Sequence, residues 1–162
     1  MTKALTIIAV ASTLAAGVAH ADWTLRPSSA ADDNGGASVT NAQGHRLAIG
    51  CGNSGTIAIS LTPDTRPADL NFLTDGAVVF FRVDGGEPLQ MPATCGARGC
   101  FQDFMLGGSP WPVREMTAIT SALRAGSTVD VMLGGQVMSR FDLSGSAGAL
   151  NALQASTQCE GL

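Results

Sequence analysis

Residues 77–86 read Ala77-Val78-Val79-Phe80-Phe81-Arg82-Val83-Asp84-Gly85-Gly86, and this stretch decides the fold. β-Branched and aromatic residues fall on both parities, Val79, Phe81 and Val83 against Val78, Phe80 and Arg82. That pattern predicts a central strand with most of both faces covered. Asp84-Gly85-Gly86 then turns the chain back as a hairpin.

Working outward, Leu89 to Met91 and Phe101 to Leu106 continue the sheet on either side of a cysteine loop, and Gly107 to Pro112 breaks it. Val113, Met116, Ile119 and Leu123 recur at helical spacing, and Gly126 is placed to end a helix from Val113 to Ala125. Thr128 to Leu133 and Val137 to Leu143 form a second hairpin across Gly134-Gly135-Gln136, with Val129, Val131 and Leu133 on one face. Ser144 or Ser146 caps a last short helix carrying Leu150 and Leu153.

Upstream, a short first strand around Asp22 to Arg26 leads into a polar loop, Ser28 to Gly36. Leu47 to Cys51 and Thr56 to Leu61 are strand-like runs joined by Gly52-Asn53-Ser54-Gly55, and Pro63 to Asp69 reads as a surface loop. About seven or eight short strands and two short helices define an α+β, mainly β fold. The expected form is an antiparallel sheet or sandwich, with the helices on one face or end.

The 162 residues suit one domain. Met1-Thr2-Lys3 gives a positive start, Ala4 to Val18 is apolar, and Ala19-His20-Ala21 offers small residues for cleavage. Residues 1–21 therefore read as a cleaved export signal and residues 22–162 as a single periplasmic or secreted domain. The run is shorter than the roughly 20 residues of a membrane span, and no cysteine stands at the cleavage point to carry a lipid anchor.

After cleavage, 8 arginines face 13 carboxylates, with no lysine or tyrosine and one histidine, His45. The net charge of −5 and the scattered arginines exclude a nucleic-acid interface, which needs clustered cations, and disfavour an anionic membrane surface. Lysine and tyrosine chemistry is excluded outright.

Export places Cys51, Cys95, Cys100 and Cys159 where disulfides persist, and without partner histidines they do not read as a zinc site. Three pairings are possible. Cys95 and Cys100 bracket a four-residue loop able to close locally, which favours Cys95 with Cys100 and leaves Cys51 with Cys159. The long ring of about 109 residues then contributes on the order of 4 to 5 kcal/mol through loop entropy, and the short ring about 2.

No residue set names a reaction. His45 lacks a located partner, and Ser144-Gly145-Ser146 is not a nucleophile elbow. Asp32, Asp33, Asp84 and Glu87 lack the ligand spacing of a calcium loop and read as turn formers. Met91, Met105, Met116, Met132 and Met138 are dispersed, so they fill the core rather than bind copper. Nothing implies a metal or other cofactor. Two residues stand out as possible partner contacts: Arg98, displayed by the Cys95–Cys100 loop, and Trp111 between two prolines, each also explicable as plain turn or core.

Trp23, Leu47 to Cys51, Phe81 to Gly86, Ile119 to Leu123, Phe141 to Gly145, Ala149 to Leu153 and Cys159 form an ordered pattern along the chain. It resembles the small periplasmic proteins associated with type VI secretion, the VasI/TagO type. Gly85 through Cys95 and Gly99-Cys100 to Leu150 is also similar to the invasion-associated locus B family. The resemblance covers nearly the whole mature chain, on hydrophobic, turn and cysteine positions. It implies a cell-envelope protein without known catalysis and supports the Cys51–Cys159 pairing. The tryptophan usual after the strand-turn element is missing near Asp84 to Glu87, and nothing aromatic follows Cys159.

The expectation is thus a non-catalytic exported protein that binds a protein partner in the envelope, as an accessory factor of secretion or host interaction. Two alternatives remain: a secreted hydrolase inhibitor that presents Arg98 on the disulfide loop, and an envelope hydrolase that uses His45 with nearby carboxylates.

Overall fold

The computed structural model describes residues 22–26, 35–51, 57–62, 77–96, 99–102, 105–106, 109–110, 113–157, 159 and 162. The expected leader 1–21, most of the 28–36 loop, the 52–55 connection and the 63–69 loop lie outside them.

In chain order the strands are β1 (Thr24–Arg26), β2 (Gly35–Thr40), β3 (Arg46–Cys51), β4 (Ile57–Thr62), β5 (Ala77–Val83), β6 (Leu89–Gly96), β7 (Gly99–Gln102), β8 (Met105–Leu106) and β9 (Ser109–Pro110). Helix α1 (Val113–Ala125), strands β10 (Thr128–Leu133) and β11 (Gln136–Asp142), and helix α2 (Ser146–Ser156) complete the chain. Nine strands form one curled, antiparallel sheet in the order β1-β2-β3-β4-β7-β6-β5-β10-β11, while β8 and β9 pair separately. The fold is mainly β with two helices, as the sequence implies, and it is one sheet rather than a sandwich.

Side chains alternate across a strand, so one parity of each strand points inward. Leu47 and Ile49, Ile57, Ile59 and Leu61, Val79 and Phe81, Met91 and Ala93, Val129 and Val131, and Phe141 are all buried in a single core. Both helices close this inner face. Met116, Ile119 and Leu123 of α1 and Leu150 and Leu153 of α2 are buried in the same cluster. Helix α1 lies on β6 and β5, α2 on β2 and β1, and the helices touch each other.

β5 departs from its expected environment. Val79 and Phe81 are buried, but Val78, Phe80 and Arg82 on the opposite parity are only half-buried, because no described helix covers the outer face. β2 was expected to be mostly loop. Its Gly35-Gly36 reads as a turn signal, yet the strand pairs in full register with β3 and buries Ala37 and Val39.

The turns follow their sequence. Asp84 and Gly85 have φ of 47° and 72°, and Gly134 and Gly135 have 58° and 79°, the left-handed pairs that a two-residue hairpin turn requires. In the second hairpin Met138 is an extra residue, since Val131 opposes Ser139 and Met132 opposes Val137. The bulge buries Met138 and leaves Val137 exposed. α2 is not capped by a serine side chain: left-handed Gly145 holds the N-cap position, and Ser146, the first helical residue, donates its hydroxyl to the Leu123 carbonyl at 2.8 Å. This bond ties the start of α2 to α1.

The cysteine pairs are Cys51–Cys159 and Cys95–Cys100, with Cα separations of 5.8 and 4.0 Å. The short bridge spans directly opposed residues of β6 and β7, and Gly96 pairs with Gly99 beyond it, so the ladder runs further than the four-residue loop read from sequence. The long bridge fastens the chain beyond α2 to the end of β3. All four cysteines are buried and none is free. Met91 and Met116 fill the core with Met138, and Met132 is half-buried.

Gly99 is the position least able to accept a side chain. Its φ is 129°, and an added Cβ would collide with the Leu61 carbonyl oxygen and approach the Thr62 methyl at 2.9 Å. Gly99→Ala is expected to cost roughly 2 to 4 kcal/mol, combining backbone strain with overpacking. Gly135→Ala, left-handed but with nothing within 4 Å of its Cβ, should cost about 1 to 2. Urea unfolding of both variants checks the order; equal losses would refute the steric account.

Candidate functional site

The sequence-predicted candidates do not converge on one place. Arg98 and Trp111 lie outside the described residues, as do Asp32 and Asp33. Asp84 serves the fold: its carboxylate accepts hydrogen bonds from the Ser127 and Thr128 backbone N–H groups at 3.0 and 2.8 Å, and from the Thr128 hydroxyl at 3.2 Å. Among the described residues no group of three or more His, Cys, Asp or Glu side chains could hold a metal.

His45 has a partner that the sequence did not reveal. Its Nδ1 lies 2.5 Å from the Ser139 hydroxyl of β11. Ser139 is 4% exposed, and a nucleophile has to reach its substrate. The contact instead joins the β2–β3 turn to the far strand of the sheet. Asn41 acts beside it: its side-chain oxygen accepts from the Gln43 and His45 backbone N–H groups, and its Nδ2 donates to the Arg140 carbonyl at 3.1 Å. One amide thus shapes the turn and carries it across the curled sheet.

The outer face holds the two arrangements with chemical character. At one side, Asp130 of β10 stands directly between Arg82 of β5 and Arg140 of β11 in the strand register. Arg140 Nε and Nη2 donate to its two oxygens at 2.6 and 3.1 Å, and Arg82 Nη2 donates at 2.9 Å. The hydrogen bonds from Arg140, against the penalty of burial and with help from Arg82, hold the Asp130 carboxyl below the usual carboxylate range. The three-residue ladder carries one net positive charge.

At the other side, the outward residues of β1 to β4 are small. Register aligns Thr24, Ser38, Ala48 and Ser60 in one row and Arg26, Gly36, Gly50 and Ala58 in the next. The result is a trough of about 350 Å³ over the strands. Arg26 and Arg46 line it, with no carboxylate among its described lining residues. Arg46 also donates to the Ser38 hydroxyl at 3.0 Å, which draws its guanidinium over the floor. Phe101 of β7 stands opposite Ser60 and is 43% exposed. A second hollow of about 270 Å³ lies between α1 and the β5–β6 hairpin, bordered by Phe80, Pro88, Leu89 and Glu115.

No known protein family, curated protein or solved structure matches the chain. Two disulfides and no free cysteine are consistent with an oxidising compartment. No helix among the described residues is long and apolar enough to cross a membrane.

The carboxylates give a pH prediction. Asp130 is lowered as described, and the Ser127 and Thr128 amides lower Asp84 in the same way. Unfolded carboxylates titrate near 3.9. As pH falls toward and below that value, the unfolded chain takes up protons that the folded chain refuses, so stability is lost as pH drops through the folded pKa values. The urea midpoint should therefore fall from pH 5 to pH 2.5, with a shallower fall in an Asp84→Asn, Asp130→Asn double variant. Parallel profiles would show that other carboxylates carry the acid response.

Proposed function

We propose that this chain is an exported cell-envelope protein that acts by holding a protein partner on the outer face of its sheet, rather than by catalysis. The observation that carries the reading is the one-sided layering of the fold. Both helices cover the inner face, while the outer face of β1 to β4 keeps a trough beside an exposed aromatic ring. Aromatic and arginine side chains around a recessed surface are the usual composition of a protein contact.

The compartment follows from the apolar leader at residues 4–18 and from the two disulfides. Bridging across 108 positions, with a second bridge inside one hairpin, suits a carrier surface that must persist outside the cytoplasm. Service to a secretion apparatus or a host-contact step, the settings of the two families it resembles, is compatible with such a carrier.

Site-directed photocrosslinking in the native envelope tests the proposal. A benzophenone side chain at Ser60 or Phe101 should yield a discrete heavier adduct, and the same group at Asn151, exposed on α2, should not. Adducts from all three sites alike, or from none, would defeat the reading.

A further inference from the structure

The trough on β1 to β4 has a chemistry of its own, and we infer that it receives an extended acidic peptide segment of the partner, whose carboxylates pair with Arg26 and Arg46. This inference rests on the binding reading above and adds the identity of the occupant.

Two observations carry it. The first is charge: both arginines that line the trough are exposed, and no described lining residue is acidic, in a chain whose mature net charge is −5. A local cationic recess on an acidic protein selects acidic partners and repels a second copy of the same chain. The second is the floor. Glycine inside a strand costs about 0.5 to 1 kcal/mol relative to alanine, and Gly50 has room for a methyl group, since an added Cβ meets nothing nearer than 3.7 Å. Packing does not demand glycine there. A low floor lets another backbone approach closely, which is what an extended segment requires.

The register gives the spacing. Arg26 and Arg46 are offset by four residues along the strands and by two strands across them. Their Cα atoms are therefore separated by roughly 13 Å along and 10 Å across the sheet. Both side chains reach inward, so they span carboxylates two to four positions apart on an extended chain, at about 3.3 Å per residue. The Thr24, Ser38 and Ser60 hydroxyls lie in the adjoining row and offer hydrogen bonds to its backbone.

The test is a fluorescence-anisotropy titration of the mature, disulfide-intact protein with a fluorescein-labelled octapeptide of alternating Glu and Ser. Saturable binding should weaken with added salt, and an alternating Lys and Ser peptide should not bind. Arg26→Gln with Arg46→Gln should weaken binding at least about tenfold, the loss expected for charge-assisted pairs. Ala58→Leu, which fills the trough without changing charge or touching the core, should do the same. Thermal unfolding confirms that each variant is folded.

Equal affinity of all variants, no binding, or binding of the Lys peptide would overturn the inference. So would self-association of the free protein that these substitutions abolish, since the trough would then be a contact between copies. Crosslinking from Ser60 separates the two levels. If the arginine variant still gives the wild-type adduct, the acidic-peptide inference fails while the binding reading stands; if the wild type gives none, the binding reading itself fails.

Discussion

One-sided burial governs this molecule. A nine-stranded antiparallel sheet with helices on a single face must keep every strand in phase, because a slip of one residue sends its apolar set to the solvent. Several features hold that phase. The Cys95–Cys100 bridge locks opposed positions of β6 and β7, the Met138 bulge resets the parity of β11, and left-handed pairs fix two hairpin turns. The Cys51–Cys159 bridge then fastens the last segment to the rim of β3, so that α2 is held over the core from both ends.

The sequence was most informative where local chemistry and burial agree. From Ala77 to Asp142 the hairpins and α1 were readable, because Asp84-Gly85 and Gly134-Gly135 demand left-handed turns and the spacing from Met116 to Leu123 demands a helical face. The cysteine pairing was readable too, since the ring between Cys95 and Cys100 can close locally. β2 was missed because Gly35-Gly36 signals a turn, whereas here the pair enters a strand whose neighbour, Gly50, is equally small. The expected serine cap of α2 failed because Ser146 is spent on the Leu123 carbonyl, a tertiary contact with no local signature.

The trough was not legible at all. Arg26 and Arg46 are twenty positions apart, and the floor is assembled from glycine, alanine and serine on separate strands, each unremarkable alone. Only the register makes them neighbours. The Asp130 ladder is hidden in the same way, being a product of strand pairing between residues up to 48 positions apart. The outer face thus divides into a side where arginine charge is largely answered by Asp130 and a side where described carboxylates leave it unanswered. That asymmetry orients a charged partner before any contact forms.

The Asn41 amide has one further implication. β11 is a terminal strand, and an unguarded terminal strand is a template on which other chains polymerise into cross-β aggregates. By donating to the Arg140 carbonyl, Asn41 occupies an acceptor that an incoming strand would need, while β1 at the opposite margin offers only three residues. Strand-by-strand growth is therefore discouraged at both margins, and the protein can expose a broad sheet surface while remaining an individual molecule.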